Sequence, residues 1–152
     1  MNYYALTEKY LYNYIPLKIS IENLSKEIEE LDYNSVATIS YEYIGSIGYR
    51  ESNVENKVIK IEKKRDKLKD KILDLENKLE RIDRAIEGLN EIERYIIEER
   101  YFKGKQWWVI AYKLKYSERW CKELRRRAIE KISIGLWGEE AMLHKEFTNT
   151  SP

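Results

Sequence analysis

Positively charged side chains are concentrated in one stretch of this sequence, residues 105–131. The stretch holds nine basic and three acidic residues, whereas the net charge of the whole chain is only +1. Arginine and lysine side chains bind the phosphates of nucleic acids, and both can also bind the edge of guanine in the major groove. The local excess of positive charge therefore predicts a binding surface for a polyanion.

Other residues that could carry chemistry are few. Cys121 is the only cysteine and His144 is the only histidine. A zinc site needs several such ligands, and the usual nucleophilic triads need a histidine beside the nucleophile. No pair of carboxylates stands out as a general acid and base. We therefore expect a protein that is not an enzyme and that carries no metal and no cofactor.

The basic stretch is expected to fold into two short helices joined by a tight turn. The first helix would cover residues 106–114, with Trp107 or Trp108, Ile110, Ala111 and Leu114 as its apolar set. Ser117 is a favourable N-cap for the second helix. The apolar residues of that helix recur every four positions, at Trp120, Leu124, Ala128 and Ile132.

A further helix is expected to precede these two. Asn90 and Glu93 have the spacing of an N-cap and its capping box, and Gly104 provides the exit from the helix. Ile92, Ile96 and either Tyr101 or Phe102 would form its inward face. Three helices with a short turn before a basic last helix predict a helix-turn-helix domain that binds double-stranded DNA.

The last helix of such a domain is the recognition helix. The side chains expected to reach base edges are Arg119, Lys122, Glu123, Arg126 and Glu118, since glutamate can accept a hydrogen bond from cytosine. The cations expected to contact phosphates are Lys105, Lys113, Lys115, Arg125 and Arg127. Trp107, Trp108 and Trp120 are expected in the core rather than as platforms on which bases stack.

Residues 54–89 carry the most regular pattern of the chain. Ten positions follow the heptad spacing, and nine of them are aliphatic: Val58, Ile61, Arg65, Leu68, Ile72, Leu75, Leu79, Ile82, Ile86 and Leu89. Five heptads with charged flanks are typical of a coiled coil, here roughly 50 Å long. Residues 17–31 have the same spacing and could fold back as an antiparallel partner. Because they are too few to cover the longer stripe, we expect a homodimer through residues 54–89.

Residues 33–53 lie between these two helical patterns and show no steady period. They contain Gly45 and Gly48 among serine, threonine and tyrosine residues. A phosphate-binding loop would follow a strand and would end in Gly-Lys-Ser or Gly-Lys-Thr, and neither feature is present. The segment is therefore expected to be a loop between helices.

Residues 89–132 resemble the fourth conserved region of bacterial sigma factors, the domain that reads promoters. The positions that carry the resemblance include a hydrophobic-Glu-Arg opening, an Arg-Tyr-x-x-Gly stop and an Ile-Ala-x-x-Leu helix. They are Leu89, Glu93, Arg94, Arg100, Tyr101, Gly104, Ile110, Ala111, Leu114, Ser117, Arg127, Ala128 and Ile132. The resemblance implies binding to a promoter-proximal DNA site and contact with RNA polymerase.

The order of segments along the whole chain resembles the phage late-gene transcription regulators of the ArpU and RinA kind. The resemblance implies a phage or prophage regulator that activates transcription. Two alternatives remain open at this point. A small subunit of a phage terminase also joins a helix-turn-helix to an oligomerising helical segment but forms rings, and an RNA-polymerase adaptor or anti-sigma factor would use the same fold to bind protein.

The sequence thus predicts an all-α protein in three parts. Residues 1–89 would form a helical and coiled-coil region, residues 90–135 the DNA-binding domain, and residues 136–152 a tail. The N-terminus lacks a segment of signal-peptide type, and no apolar run approaches the length of a membrane span. We therefore expect a cytoplasmic protein with no membrane contact.

Overall fold

The computed structural model describes residues 1–45 and 51–148, and the fold is all-α with no strand among these residues. The helices are α1 (Tyr3–Tyr12), α2 (Tyr14–Gly45), α3 (Glu51–Glu87), α4 (Glu91–Ile97), α5 (Trp107–Leu114), α6 (Glu118–Trp137) and α7 (Glu139–Thr148). A π-helical turn over Glu98–Phe102 continues α4. No helix in the described part of the chain is long and apolar enough to span a membrane.

The chain divides into two compact units. Leu17–Asn77 form one unit, and Met1–Pro16 together with Lys78–Pro152 form the other. These units differ from the predicted domains, because residues 1–16 and 78–89 group with the predicted DNA-binding segment. The physical reason is that apolar side chains of α1 are buried against elements of that segment.

In the Leu17–Asn77 unit, α2 and α3 run antiparallel. The side chains of Asp32 and Arg65 form an ion pair. Asp32 lies 13 residues before the end of α2 at Gly45, and Arg65 lies 14 residues after the start of α3 at Glu51. These nearly equal separations are those of two helices that fold back on each other. The heptad positions of α3 face this pairing, since Leu68 is buried and Val58, Ile61, Ile72 and Leu75 are half-buried.

The loop expected over residues 33–53 is largely helical. α2 continues to Gly45 and α3 begins at Glu51, and only residues 46–50, which include Gly48, lie outside the described residues. Residues 33–44 contain neither proline nor glycine, and their serine, threonine and valine residues cost only a few tenths of a kcal/mol each in a helix. Ser35 of this segment is buried, whereas Tyr33 and Val36 are exposed.

This longer helix also changes the argument for a dimer. α2 has 32 residues against 37 in α3. The expectation that the first helix is too short to cover the heptad stripe is therefore wrong. A homodimer through residues 54–89 stays a prediction that must rest on other grounds.

In the other unit, α1 packs against α6 and the π-helical turn. Thr7 and Leu11 of α1 are completely buried. The indole N–H of Trp137 donates a hydrogen bond to the Thr7 hydroxyl at 3.2 Å, and the Tyr101 hydroxyl donates to Glu8 at 2.7 Å. Burial, and then this hydrogen bond, raise the pKa of Tyr101. The tyrosine-rich N-terminus is thus a structural part of this unit.

The core beneath α5 and α6 is formed by Ile96, Ile110, Ala111 and Cys121, with Trp107, Leu114 and Leu124 packed at its edge. Asn90 caps α4 as predicted, accepting a hydrogen bond from the Glu93 amide at 2.8 Å. Ile96 and Tyr101 are buried as predicted, whereas Ile92 is exposed and Ile97 is buried. The π-helical turn that follows Ile97 adds a residue to one helical turn and so rotates the buried face after that point, which a constant period of 3.6 residues does not anticipate.

Candidate nucleic-acid interface

The connection between α5 and α6 is a three-residue turn with defined backbone geometry. Lys115 follows α5 in the left-handed region, with φ 58° and ψ 36°. Ser117 is the N-cap of α6, and its hydroxyl accepts a hydrogen bond from the Trp120 amide at 3.1 Å. Gly104, with φ 67°, provides the corresponding exit before α5. The turn and both capping residues agree with the sequence prediction.

The first two turns of α6 present an exposed, mainly basic surface. Glu118, Arg119 and Lys122 are all exposed. Within the described residues neither Arg119 nor Lys122 takes part in an ion pair, so their charges are available to a ligand. These are the two predicted base-contacting cations that the structure leaves most accessible.

Arg126, by contrast, is held by carboxylates of its own helix. Its guanidinium lies 2.6 Å from a carboxylate oxygen of Glu123 and 2.5 Å from one of Glu130. Arg127 is 3.3 Å from the same Glu123 carboxylate. The hydrogen bond from Arg126, aided by Arg127, lowers the pKa of Glu123 to about 2 although desolvation opposes the shift. Glu123 is therefore ionised at neutral pH and neutralises part of the basic face.

Two of the predicted phosphate contacts also have partners within the protein. The Arg125 guanidinium lies 5.0 Å from the centre of the Trp107 ring, and Arg100 lies 5.1 Å from the same ring. Such cation–π contacts fix the ring and both arginines. Lys105 forms an ion pair with Glu99 at 2.5 Å. The pKa of Glu99 is lowered by its hydrogen bonds with Lys103 and then Lys105.

Lys113 and Lys115 lie exposed at the end of α5 and in the turn. They make no ion pair with any described residue, so they are accessible to phosphates as predicted from the sequence. Two of the three tryptophans expected in the core differ from that expectation. Trp107 is half-buried, but Trp108 is 61% exposed and Trp120 is 40% exposed.

The burial of Cys121 explains the exposure of Trp120. Cys121 is completely buried, and Ala128 and Ile132 follow it on the same face of α6. The packed face thus begins at Cys121, one residue after the predicted Trp120, which places the Trp120 ring at the edge, while Ala128 and Ile132 are buried as predicted. There the ring lies 5.1 Å from the guanidinium of Arg127.

An open groove of about 1510 Å³ follows the outer side of α6. Six cations line it, namely Arg119, Lys122, Arg125, Arg126, Arg127 and Lys131, together with the three carboxylates Glu93, Glu123 and Glu130. Residues 1–4 also line the groove, and their contribution was missed in the sequence. Asn2, the N-cap of α1, was the available signal, since Thr7, Leu11 and Tyr14 follow it at helical spacing.

Lys131 lies in this groove with a structural partner. Its ammonium group contacts both carboxylate oxygens of Glu93, at 2.7 and 3.0 Å, and only 5% of the Glu93 side chain is exposed. Glu93 therefore does not complete the predicted capping box with Asn90, because its carboxylate connects α4 to α6. Among the described residues, no group of three or more histidine, cysteine, aspartate or glutamate side chains is placed to hold a metal ion.

Comparison with known families adds one assignment. The family described as protein of unknown function (DUF722) matches residues 6–134. The chain belongs to this family. The match begins in α1 and ends within α6, so it includes the helix that packs on the basic segment as well as that segment itself. No curated protein and no solved structure matches the chain.

Proposed function

We propose that this DUF722 protein is a sequence-specific DNA-binding transcription regulator, with α5 and α6 as a helix-turn-helix and α6 as the recognition helix. The observation that carries the proposal is the connection between these helices. It consists of a left-handed Lys115, a capping Ser117 and then the exposed cations Arg119 and Lys122 in the first two turns of α6. A recognition helix contacts base edges with its N-terminal residues.

Burial supports the same proposal. Ile110 and Ala111 of α5 pack with Cys121 of α6, so the two helices are held by their inner faces and α6 keeps its outer face exposed. Lys113 and Lys115 are accessible on the preceding helix and turn. These lysines would contact phosphates, which position a protein on the duplex without reading its sequence.

The regulatory role rests on the resemblance of residues 89–132 to sigma-factor region 4. The proposed partners are double-stranded DNA and RNA polymerase, and the proposed activity is late-gene activation in a phage or prophage. The heptad stripe of α3 would form an intramolecular antiparallel coiled coil with α2. A homodimer through residues 54–89 would be the alternative use of the same stripe, and light scattering of the full chain distinguishes the two.

Footprinting on the DNA that surrounds the gene, followed by affinity measurements on the protected site, tests DNA recognition. Arg119→Ala should weaken specific binding by roughly 1–3 kcal/mol and relax base preference at one position. Lys113→Ala should weaken binding equally on all sequences and reduce its salt dependence. Equal, sequence-blind losses for both variants would contradict the assignment of α6 as the recognition helix.

A second experiment separates regulation from DNA packaging. Adding the protein to the host RNA polymerase and a promoter that carries the protected site should raise the transcript yield, and Arg119→Ala should remove the increase. Specific binding with unchanged transcription, together with stimulation of a terminase ATPase, would instead identify the protein as a packaging adaptor.

A further inference from the structure

The outer flank of α5 carries two large aromatic side chains that the core does not use. Trp108 is 61% exposed and Tyr112 is 85% exposed. They are one helical turn apart, so their rings project from the same flank, about 6 Å apart along the helix axis. Neither residue lines the groove along α6, so this flank is a separate surface from the one proposed to read duplex DNA.

The Trp108 ring is held in place despite its exposure. Its indole N–H donates a hydrogen bond to the side-chain oxygen of Gln106 at 2.8 Å. A ring that is already oriented loses less conformational entropy when a ligand covers it. Trp108 and Tyr112 together form a contiguous exposed aromatic surface, and such patches mark interaction sites more than singly exposed side chains do.

The charge around these rings selects the kind of ligand. Residues 103–117 contain four lysines and no acidic residue, and Lys113 and Lys115 are exposed without an ion-pair partner among the described residues. Tyr116, which is 39% exposed, adds a third ring beside Lys115. Aromatic side chains that alternate with cations bind single-stranded nucleic acids, because bases stack on the rings while the cations contact the phosphates.

We propose that Trp108 and Tyr112 form a stacking platform for unpaired bases of single-stranded DNA, with Lys113 and Lys115 contacting the backbone. The platform goes beyond the proposed duplex recognition, because its two rings lie on α5 and do not line the groove along α6. Lys113 and Lys115 are proposed as phosphate contacts in both modes, so a duplex and an unpaired strand would compete for these two lysines.

Fluorescence anisotropy of the full-length protein with labelled oligothymidine at low salt tests the platform. The wild type should bind, and Trp108→Ala should weaken binding by about 5- to 150-fold, the effect of losing one base stacked on an aromatic ring. Trp108→Phe should keep most of the affinity, whereas Trp108→Leu should behave like the alanine variant because it has bulk but no π face. Tyr33→Ala, which removes a tyrosine that is 76% exposed on α2, is the matched control and should have no effect.

Four results would overturn the platform. The first is that the wild type does not bind oligothymidine, and the second is that Trp108→Ala binds it as tightly as the wild type. The third is that the leucine and phenylalanine variants of Trp108 bind with the same affinity. The fourth is that polyglutamate competes as effectively as unlabelled oligothymidine. A change of oligomeric state in Trp108→Ala would show that a second copy of the chain covers the surface. Duplex binding by Trp108→Ala should stay within about twofold of the wild type, so failure of the platform and failure of duplex recognition are observed separately.

Discussion

Glu123 offers the sharpest test of the basic face of α6, because two roles for it predict opposite results. As a base-reading residue, it would accept a hydrogen bond from cytosine, and its removal would weaken specific binding. In the structure its carboxylate instead binds Arg126 at 2.6 Å and Arg127 at 3.3 Å. We expect Glu123→Gln to free Arg127 for phosphates, to leave Arg126 paired with Glu130 alone, and so to strengthen DNA binding.

The size of the effect follows from this geometry. Ion pairs at an exposed surface are weak, so the competition that Glu123 exerts on the two arginines is small. Its loss should raise affinity by about two- to tenfold at low salt, on specific and random duplexes alike. If one arginine gains a phosphate contact, the slope of log affinity against log salt should steepen by about 1.

Electrophoretic mobility shift or anisotropy titrations over a range of salt concentrations measure both quantities. Glu118→Gln is the matched control, because it removes the same charge from an exposed position of α6 that holds no arginine. The control should give a smaller gain than Glu123→Gln. A loss of affinity for the footprinted site, with binding to random DNA unchanged, would refute this reasoning and restore Glu123 as a base contact.

Three further predictions concern the framework and its response to pH. Lys131→Met should destabilise the protein by about 1–3 kcal/mol in urea unfolding followed by circular dichroism, because it leaves the buried Glu93 carboxylate without its cation. Replacement of the exposed Lys122 by methionine is the control and should have little effect. Equal losses of stability in the two variants would contradict a structural role for the Lys131–Glu93 pair. Gly104→Ala should cost roughly 1–2 kcal/mol because Gly104 has φ 67°, whereas Gly88→Ala, where the added Cβ would meet only the Ala85 carbonyl at 3.4 Å, should be nearly neutral. Because folding lowers the pKa of Glu123, the stability that its ionised form contributes is complete above its unfolded pKa of about 4.3 and is lost as the pH falls towards about 2. The difference in melting temperature between the wild type and Glu123→Gln should therefore shrink over this pH range. A constant difference would contradict the ion-pair network.

Several local features could be predicted from the sequence because they depend on neighbours along the chain. Asn90 and Ser117 cap their helices, and Gly104 adopts the left-handed conformation that few other residues tolerate. The heptad stripe of α3 is the face that is removed from solvent, as the periodicity indicated. The ion pairs of Glu123 with Arg126 and Arg127 could also have been anticipated, since their spacings of three and four residues are those of neighbours on a helix.

The tertiary structure decided the features that depend on packing between distant segments. α2 extends to Gly45 although its residues after Leu31 are weak helix formers, because their intrinsic preferences cost only a few tenths of a kcal/mol each and neither proline nor glycine interrupts the helix between Leu31 and Gly45. α1 joins the basic unit through contacts that are remote in sequence, such as Thr7 with Trp137 and Glu8 with Tyr101. The π-helical turn likewise rotates the buried face after Ile97. Sequence periodicity reveals which face of a helix is apolar. It does not reveal which surface that face packs against or which aromatic rings stay exposed, because both depend on the shape of the packing partner.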